Sequence, residues 1–379
     1  MNQQFISRRA ALSRLGAVGL VSLTSSLTAC GGGGGTMSPM SETERQAQVK
    51  SQIDAVLTGD WTAGKPGLSV LVRLAGVELY KSSRGSADAV GTPITSSTAF
   101  EIASITKALT ATVVMQLVEK QILTLTDPIT RWLPMFPSDW SSIQLRHLLS
   151  HSSGIPEFFE NKPPSELDGL TNAQLVQRLV NNPILDFVPG TNSSYSNTNY
   201  VLLTEIAAAA TGQSFIELMR HGVFEPCGMY SSWLKGESSP GASVFALNQA
   251  VSPLTYGVDI LAIGAFGLRS TVEDMARFLE AWHQGRLVGP DTMRQMTTVQ
   301  SMELLNRPGK YYGFGWSLAG PITTPSIYEH TGRVAGYVGI VHIELNQSLQ
   351  LIILSNSGDT GVSQIYKILP ILQSYYPAT

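Results

Sequence analysis

Strand-like segments stand at both ends of this chain, with a long stretch of helix-like sequence between them. Leu68 to Leu74 and Val77 to Lys81 are apolar, β-branched runs that meet across Ala75-Gly76, the pattern of an antiparallel hairpin. Far downstream, Gly313 to Leu318, Tyr337 to Glu344 and Leu349 to Ser355 read as strands again, with Asn346-Gln347-Ser348 as the turn between the last two. A lone hairpin cannot bury its apolar face, so the two chain ends are expected to share one sheet. Between about 125 and 275, stretches such as Leu170 to Val180, Tyr200 to Thr211 and Thr271 to Trp282 follow helical spacing between Pro and Gly turns. A further amphipathic helix is expected over about 42 to 58, where Ser41-Glu42-Thr43-Glu44 has capping-box form and Val49, Ile53, Val56 and Leu57 recur on one face. The expected fold class is α/β: an antiparallel sheet domain from residues 41–125 and 276–379, flanked by helices, with an all-helical domain inserted over 126–275.

The first 29 residues read as an export signal. Ser7-Arg8-Arg9-Ala10-Ala11-Leu12 and Arg14 form a basic start ahead of an apolar stretch from Leu15 to Ala29, too short and too rich in Ser, Thr and Gly for a spanning helix. Arg8-Arg9 resembles a twin-arginine signal, with Ala11 where an aromatic residue is usual. Leu27-Thr28-Ala29-Cys30 looks like a bacterial lipobox, which implies lipidation of Cys30 and a Gly-rich tether over 30–40. The expected location is the periplasmic side of the cell envelope, with a lipid anchor as the membrane contact. Of the two cysteines this leaves Cys227 without an intrachain partner, a small buried hydrophobe with no catalytic role. The formal charge of −3 lacks the basic excess that nucleic-acid binding needs, and 43% hydrophobic against 14% charged residues excludes a disordered chain.

Three short motifs carry chemistry. Ser104-Ile105-Thr106-Lys107 is S-x-x-K, which on a helix sets a hydroxyl and an amine on one face, a turn apart. Ser232 to Lys235 has the same form, but only Lys107 leads into an almost wholly apolar run, Ala108 to Val118, as a buried helix requires. At the head of such a helix Ser104 meets unpaired N–H groups that favour an oxyanion, and desolvation pushes the Lys107 amine toward its neutral form. A capping serine with a snorkelling lysine would look the same. Tyr195-Ser196-Asn197 comes after the turn-rich Pro189 to Ser194, where phenol and amide would serve as proton shuttle and hydrogen-bond partner, or Asn197 as a turn residue. His330-Thr331-Gly332 stands just before the Tyr337 strand, and His283-Gln284-Gly285 repeats its form. His147 and His151 have helical spacing, but no carboxylate stands beside them in register, so no metal site is expected.

Taken together, in this order and roughly 90 and 130 residues apart, the three motifs resemble those of the serine β-lactamase and penicillin-binding-protein group, in its class C β-lactamase and D-Ala-D-Ala carboxypeptidase branch. Phe100 to Leu109, Leu145 to Pro156 and Tyr312-Gly313-Phe314-Gly315-Trp316 extend the resemblance over most of the chain. It implies a β-lactamase-like fold with the site in a cleft, and a serine hydrolase needing neither metal nor organic cofactor. Ser104 would form an acyl-enzyme, with Lys107 and Tyr195 as the proton-transfer pair. Asn197 would hold the substrate amide, His330-Thr331-Gly332 would line the opposite wall, and the N–H groups of Ser104 and Arg333 would form the oxyanion hole. His330 stands where class C β-lactamases typically have Lys, a form similar to that of D-Ala-D-Ala carboxypeptidases and related esterases. Arg333 would clamp a substrate carboxylate if its guanidinium faces the cleft, and facing solvent it would leave neutral esters as the expected substrates. The expected substrates are small molecules or peptidoglycan peptides, as D-alanyl peptides or β-lactams. The alternatives are a carboxylesterase on the same scaffold and a penicillin-binding sensor without turnover.

Overall fold

The computed structural model describes residues 40–377 apart from 58–60, 62–63, 89, 160–161, 241–259, 303, 305–310 and 335. The export signal, Cys30 and most of the tether therefore lie outside the described residues.

The apolar runs at the two ends do meet. β1 (Leu68–Leu74) turns into β2 (Val77–Arg84) through Ala75 (φ 49) and Gly76 (φ 79), a two-residue connection whose positive φ values match the twist of a hairpin. On its other edge β1 pairs antiparallel with β10 (Leu349–Ser355), Leu68 opposite Ser355 and Leu74 opposite Leu349. β6 (Tyr311–Tyr312), β7 (Ser317–Ala319), β8 (Ile327–Val334) and β9 (Tyr337–Glu344) complete a sheet of order β2-β1-β10-β9-β8-β7-β6. Every residue of β9 and β10 is buried, because helices cover both faces.

On one face, α1 (Glu42–Val56) supplies Val49 and Ile53 and α7 (Asp359–Tyr375) supplies Ile368 and Leu372, against Val70, Val72, Ile340, Leu351 and Ile353. The other face carries Leu71, Val341, Ile343, Ile352 and Leu354 into a larger core with α2 (Thr106–Glu119) and with α6 (Val272–His283). That core continues into α3 (Leu145–Leu149), α4 (Asn172–Asn181) and α5 (Asn197–Thr211), so the helical stretch shares its apolar interior with the sheet. α2 is buried at every position from Thr106 to Met115, in keeping with the mostly apolar run that follows Lys107.

The region between 126 and 275 also contains two short strands, β4 (Trp233–Leu234) and β5 (Leu268–Ser270), which form a second sheet with β3 (Phe100–Glu101) in the order β3-β5-β4. Gly313 to Leu318 is not one strand. Its centre is a bend closed by Gly313 N–H donating to the Trp316 carbonyl at 2.9 Å. Gly315 takes φ 82 against α2, where a Cβ would lie 2.6 Å from the Ala111 Cβ, and no extended strand accommodates that conformation. His330-Thr331-Gly332 lies within β8 and not ahead of a strand: His330 and Gly332 are buried, and Thr331 and Arg333 are exposed in alternation.

Candidate active site

β3 delivers the chain to Ala103, which adopts φ 48, and a tight turn over Ala103–Ile105 then runs directly into α2. A positive φ at alanine costs on the order of 1 kcal/mol and persists only where the surroundings impose it. Here the imposing neighbour is β8: a Cβ on Gly332 would lie 2.1 Å from the Ile102 carbonyl oxygen and 3.3 Å from the Ala103 Cβ. Only glycine lets the strand approach this closely. Ser104 is left partly exposed on the resulting corner, and Lys107, one turn further on, is 0% exposed.

The Lys107 Nζ is held by three oxygen atoms. It lies 3.1 Å from Ser104 Oγ, 2.6 Å from Asn197 Oδ1 and 2.8 Å from the Ala265 carbonyl. The last of these comes from the segment before β5, which is fixed over α2 by Thr110 Oγ1 donating to the Gly264 carbonyl at 2.8 Å. Tyr195 is buried beside the same amine, with Nζ 4.8 Å from its ring centroid. Tyr195 also packs on His151, ring centroids 4.4 Å apart, and meets Tyr312 edge-on at 6.2 Å. S-x-x-K and Y-x-N are thus brought together around one nitrogen.

The third motif contributes differently. His330 is 1% exposed, with Nε2 3.0 Å from Tyr312 Oη and Nδ1 2.9 Å from the Thr331 carbonyl. A carbonyl can only accept, so Nδ1 donates to it, and Nε2 shares a hydrogen bond with the tyrosine hydroxyl, in which either atom can be the donor. His330 therefore supports the wall from inside, and Thr331 and Arg333 are the exposed side chains of β8.

The competing motifs serve the fold. Ser232 is buried with Oγ 2.8 Å from both Ser270 Oγ and Asp274 Oδ2, and the Lys235 N–H donates to the Gly267 carbonyl at 2.7 Å. His147 Nδ1 accepts the Gln144 N–H and His151 Nδ1 accepts the Ser196 N–H, both at 3.2 Å. Among the described residues no group of three or more His, Cys, Asp or Glu is placed to hold a metal ion. Cys227 is buried, and burial pushes its thiol up to about 12, so it is no nucleophile at neutral pH.

Four contributors escaped the sequence reading: the Ala265 carbonyl, Tyr312, His151 as a packing partner of Tyr195, and Glu157. The first has no side-chain signature, and the others stand out only once their loops are folded together. Glu157 lies in the loop after Pro156, partly buried, with Oε1 accepting the Phe159 N–H at 2.8 Å and Oε2 accepting the Asn197 N–H.

A serine hydroxyl, a buried amine and a tyrosine ring converge beside the exposed residues of β8, an arrangement suited to acyl transfer. The comparisons agree with that chemistry. The family model described as Beta-lactamase matches residues 49–374. The chain is 30% identical over 310 residues to Penicillin-binding protein 4* of Bacillus subtilis (strain 168), covering 76% of this chain and 67% of that one. It is 26% identical over 268 residues to a Beta-lactamase of Escherichia coli (strain K12), covering 69% and 68%. Among solved structures, D-amino acid amidase from Ochrobactrum anthropi SV3, complexed with D-phenylalanine, matches with a TM-score of 0.71 at 25% identity over 86% of this chain and 99% of that one.

Proposed function

The chain belongs to the beta-lactamase family, and from that premise we propose that this serine hydrolase forms an acyl-enzyme on Ser104 and acts on D-alanyl peptides or β-lactams. The observation that carries the proposal is the set of three oxygens around Lys107 Nζ. A neutral amine has two N–H donors and one lone pair. With its donors on Asn197 Oδ1 and the Ala265 carbonyl, the lone pair faces the Ser104 hydroxyl and takes its proton as Oγ attacks the substrate carbonyl. The ammonium that results has three donors for the same three oxygens, so both protonation states are satisfied without rearrangement.

In this mechanism the N–H groups of Ser104 and Arg333 receive the tetrahedral oxyanion. Tyr195 relays a proton to the leaving nitrogen, which departs as the acyl-enzyme forms. Water then attacks the ester, gives its proton back through the same pair, and releases the acid and Ser104 Oγ–H. Asn197 Nδ2 is the donor for the substrate amide. Because His330 is buried and engaged with Tyr312 and the Thr331 carbonyl, recognition of a substrate carboxylate falls to the exposed Arg333 guanidinium. The withdrawal of His330 from the surface also favours a second reading, a carboxylesterase acting on uncharged esters. Export and a lipid anchor on Cys30 belong to the proposal on the strength of Leu27-Thr28-Ala29-Cys30.

Intact-mass spectrometry over time after addition of a fluorescent penicillin tests this, with Ser104→Ala and Ser232→Ala alongside. The proposal expects an adduct, or loss of the free drug, with wild type and Ser232→Ala only. Decay of the adduct marks turnover, and its persistence marks a penicillin-binding sensor. An intact drug together with p-nitrophenyl ester hydrolysis lost in Ser104→Ala selects the esterase. Unchanged activity in Ser104→Ala overturns the mechanism.

A further inference from the structure

Glu157 stands outside the three motifs, yet its contacts lead straight to the amine at their centre. The loop that carries it is joined to the start of α5 at several points. Thr198 Oγ1 donates to the Pro156 carbonyl at 2.9 Å, Ser196 Oγ donates to the same carbonyl at 3.3 Å, and Phe158 N–H donates to Thr198 Oγ1 at 3.0 Å. Inside this join the Glu157 carboxylate accepts from the Asn197 backbone N–H. The side chain of the same asparagine turns its Oδ1 to Lys107 Nζ, at 2.6 Å.

We infer that Glu157 is a positioning residue for catalysis, holding Asn197 by its backbone N–H where the Asn197 side chain meets Lys107, and supporting the ammonium form of Lys107 with its charge. The inference rests on Lys107 being the base for Ser104, as proposed above. Burial pushes the Glu157 carboxyl up, while the Asn197 and Phe159 donors and the Lys107 charge act against that rise. Interaction is reciprocal, so a carboxylate favoured by Lys107 favours the Lys107 ammonium in return. The other titratable or charged groups of this neighbourhood are Tyr195 and Tyr200 beside Lys107, His151 behind Tyr195, and Lys162 and Arg178, which lie 5.2 and 5.5 Å from the centroid of the Phe158 ring.

A purely structural role would make a different prediction. Ser196, at the N-cap of α5, makes no capping hydrogen bond with its side chain, and Glu157 would simply replace it at the positive end of the helix. The two roles separate in the pH profile. In wild type the acylation rate rises with pH as Lys107 loses its proton. Without the Glu157 charge the amine loses that proton at lower pH, so the acidic limb of the profile moves down.

The experiment measures acylation rate against pH for wild type, Glu157→Gln and Glu157→Asp, using fluorescent penicillin or a p-nitrophenyl ester, whichever wild type accepts, with Ser104→Ala as the blank. Glu157→Gln is expected to move the limb down by roughly one pH unit and to lower the plateau. Glu157→Asp keeps the charge at longer range and is expected to move it part of the way. A helix cap alone would lower the melting temperature and leave the limb in place in both variants, and that result overturns the inference. Should Glu157→Gln not fold, Glu157→Asp decides by the same criterion. Full activity in the Ser104→Ala blank would instead refute the Ser104 mechanism, which keeps the two failures apart.

Discussion

Gly332 offers the sharpest physical test of how the site is built. Replacing it by alanine adds one methyl group, and on an ordinary strand such a change stabilises by about 0.5–1 kcal/mol, because glycine has more backbone freedom to lose. At this position the new Cβ would lie 2.1 Å from the Ile102 carbonyl oxygen, and contacts under 3.0 Å are essentially never seen. β8 and the Ser104 turn must therefore part by about 0.9 Å, and both partners are buried backbone with no side chain to swing aside. Overpacking of this kind costs about 1–3 kcal/mol, which exceeds the gain in backbone entropy, so Gly332→Ala is expected to melt several degrees lower. Moving a nucleophile by that distance relative to the opposite wall costs about 10²-fold in rate. The assay is a thermal melt paired with turnover of whichever penicillin or ester the wild-type protein accepts. A variant that melts higher than wild type, or keeps its full rate, would show that the strand and the turn do not bear on one another as argued.

Two further outcomes are expected. Ser232→Ala removes a buried hydroxyl that bonds the Asp274 carboxylate at 2.8 Å, so it should lose about 1.5–3 kcal/mol of stability while Ser104 acylates at the wild-type rate; a matching loss of activity would contradict the structural role. His342 lies between Glu329 Oε2 at 3.1 Å and Glu344 Oε1 at 3.0 Å. Burial alone would hold its imidazole below the ordinary value, but the two carboxylates outweigh burial and the net direction is up. The stabilisation is therefore complete below about pH 6.5 and lost as pH rises through the raised value, and Glu344, whose carboxyl is lowered, loses its share as pH falls through its own. His342→Gln should flatten the decline of melting temperature above pH 7, and an unchanged slope would show that the cluster does not titrate as described.

Much of this architecture was legible because its signals are periodic or compositional. The paired strand runs at the chain ends, the mostly apolar Ala108 to Val118 and the helical spacing of Val49 and Ile53 each obey local rules. S-x-x-K at 104 and at 232 share one form and are told apart by the residues downstream of them, and the structure expresses that difference as a buried Lys107 and a Ser232 tied to Asp274. The parts that were not legible depend on contacts between distant segments. A carbonyl such as that of Ala265 has no residue type to betray it. Glu157 has the composition of any loop glutamate until Asn197 is brought against it. Gly315 reads as part of a strand until α2 is pressed on it, and His330 reads as a ligand-facing side chain until Tyr312 supplies its partner.

The pairing of β1 with β10 has a consequence for how the molecule comes into being. Once Arg333 has been synthesised, every side chain of the candidate site exists, yet β9 still lacks the strand that joins it to β1. The wall bearing Thr331 and Arg333 hangs from β9, so until residues 349–355 arrive it has no fixed relation to the first hairpin. Pairings between residues this far apart in sequence close slowly, since the loop entropy is lost before any contact repays it. A nascent or truncated chain ending before β10 would thus carry every side chain of the candidate site and be unable to use them, and the appearance of activity during synthesis should coincide with the last strand.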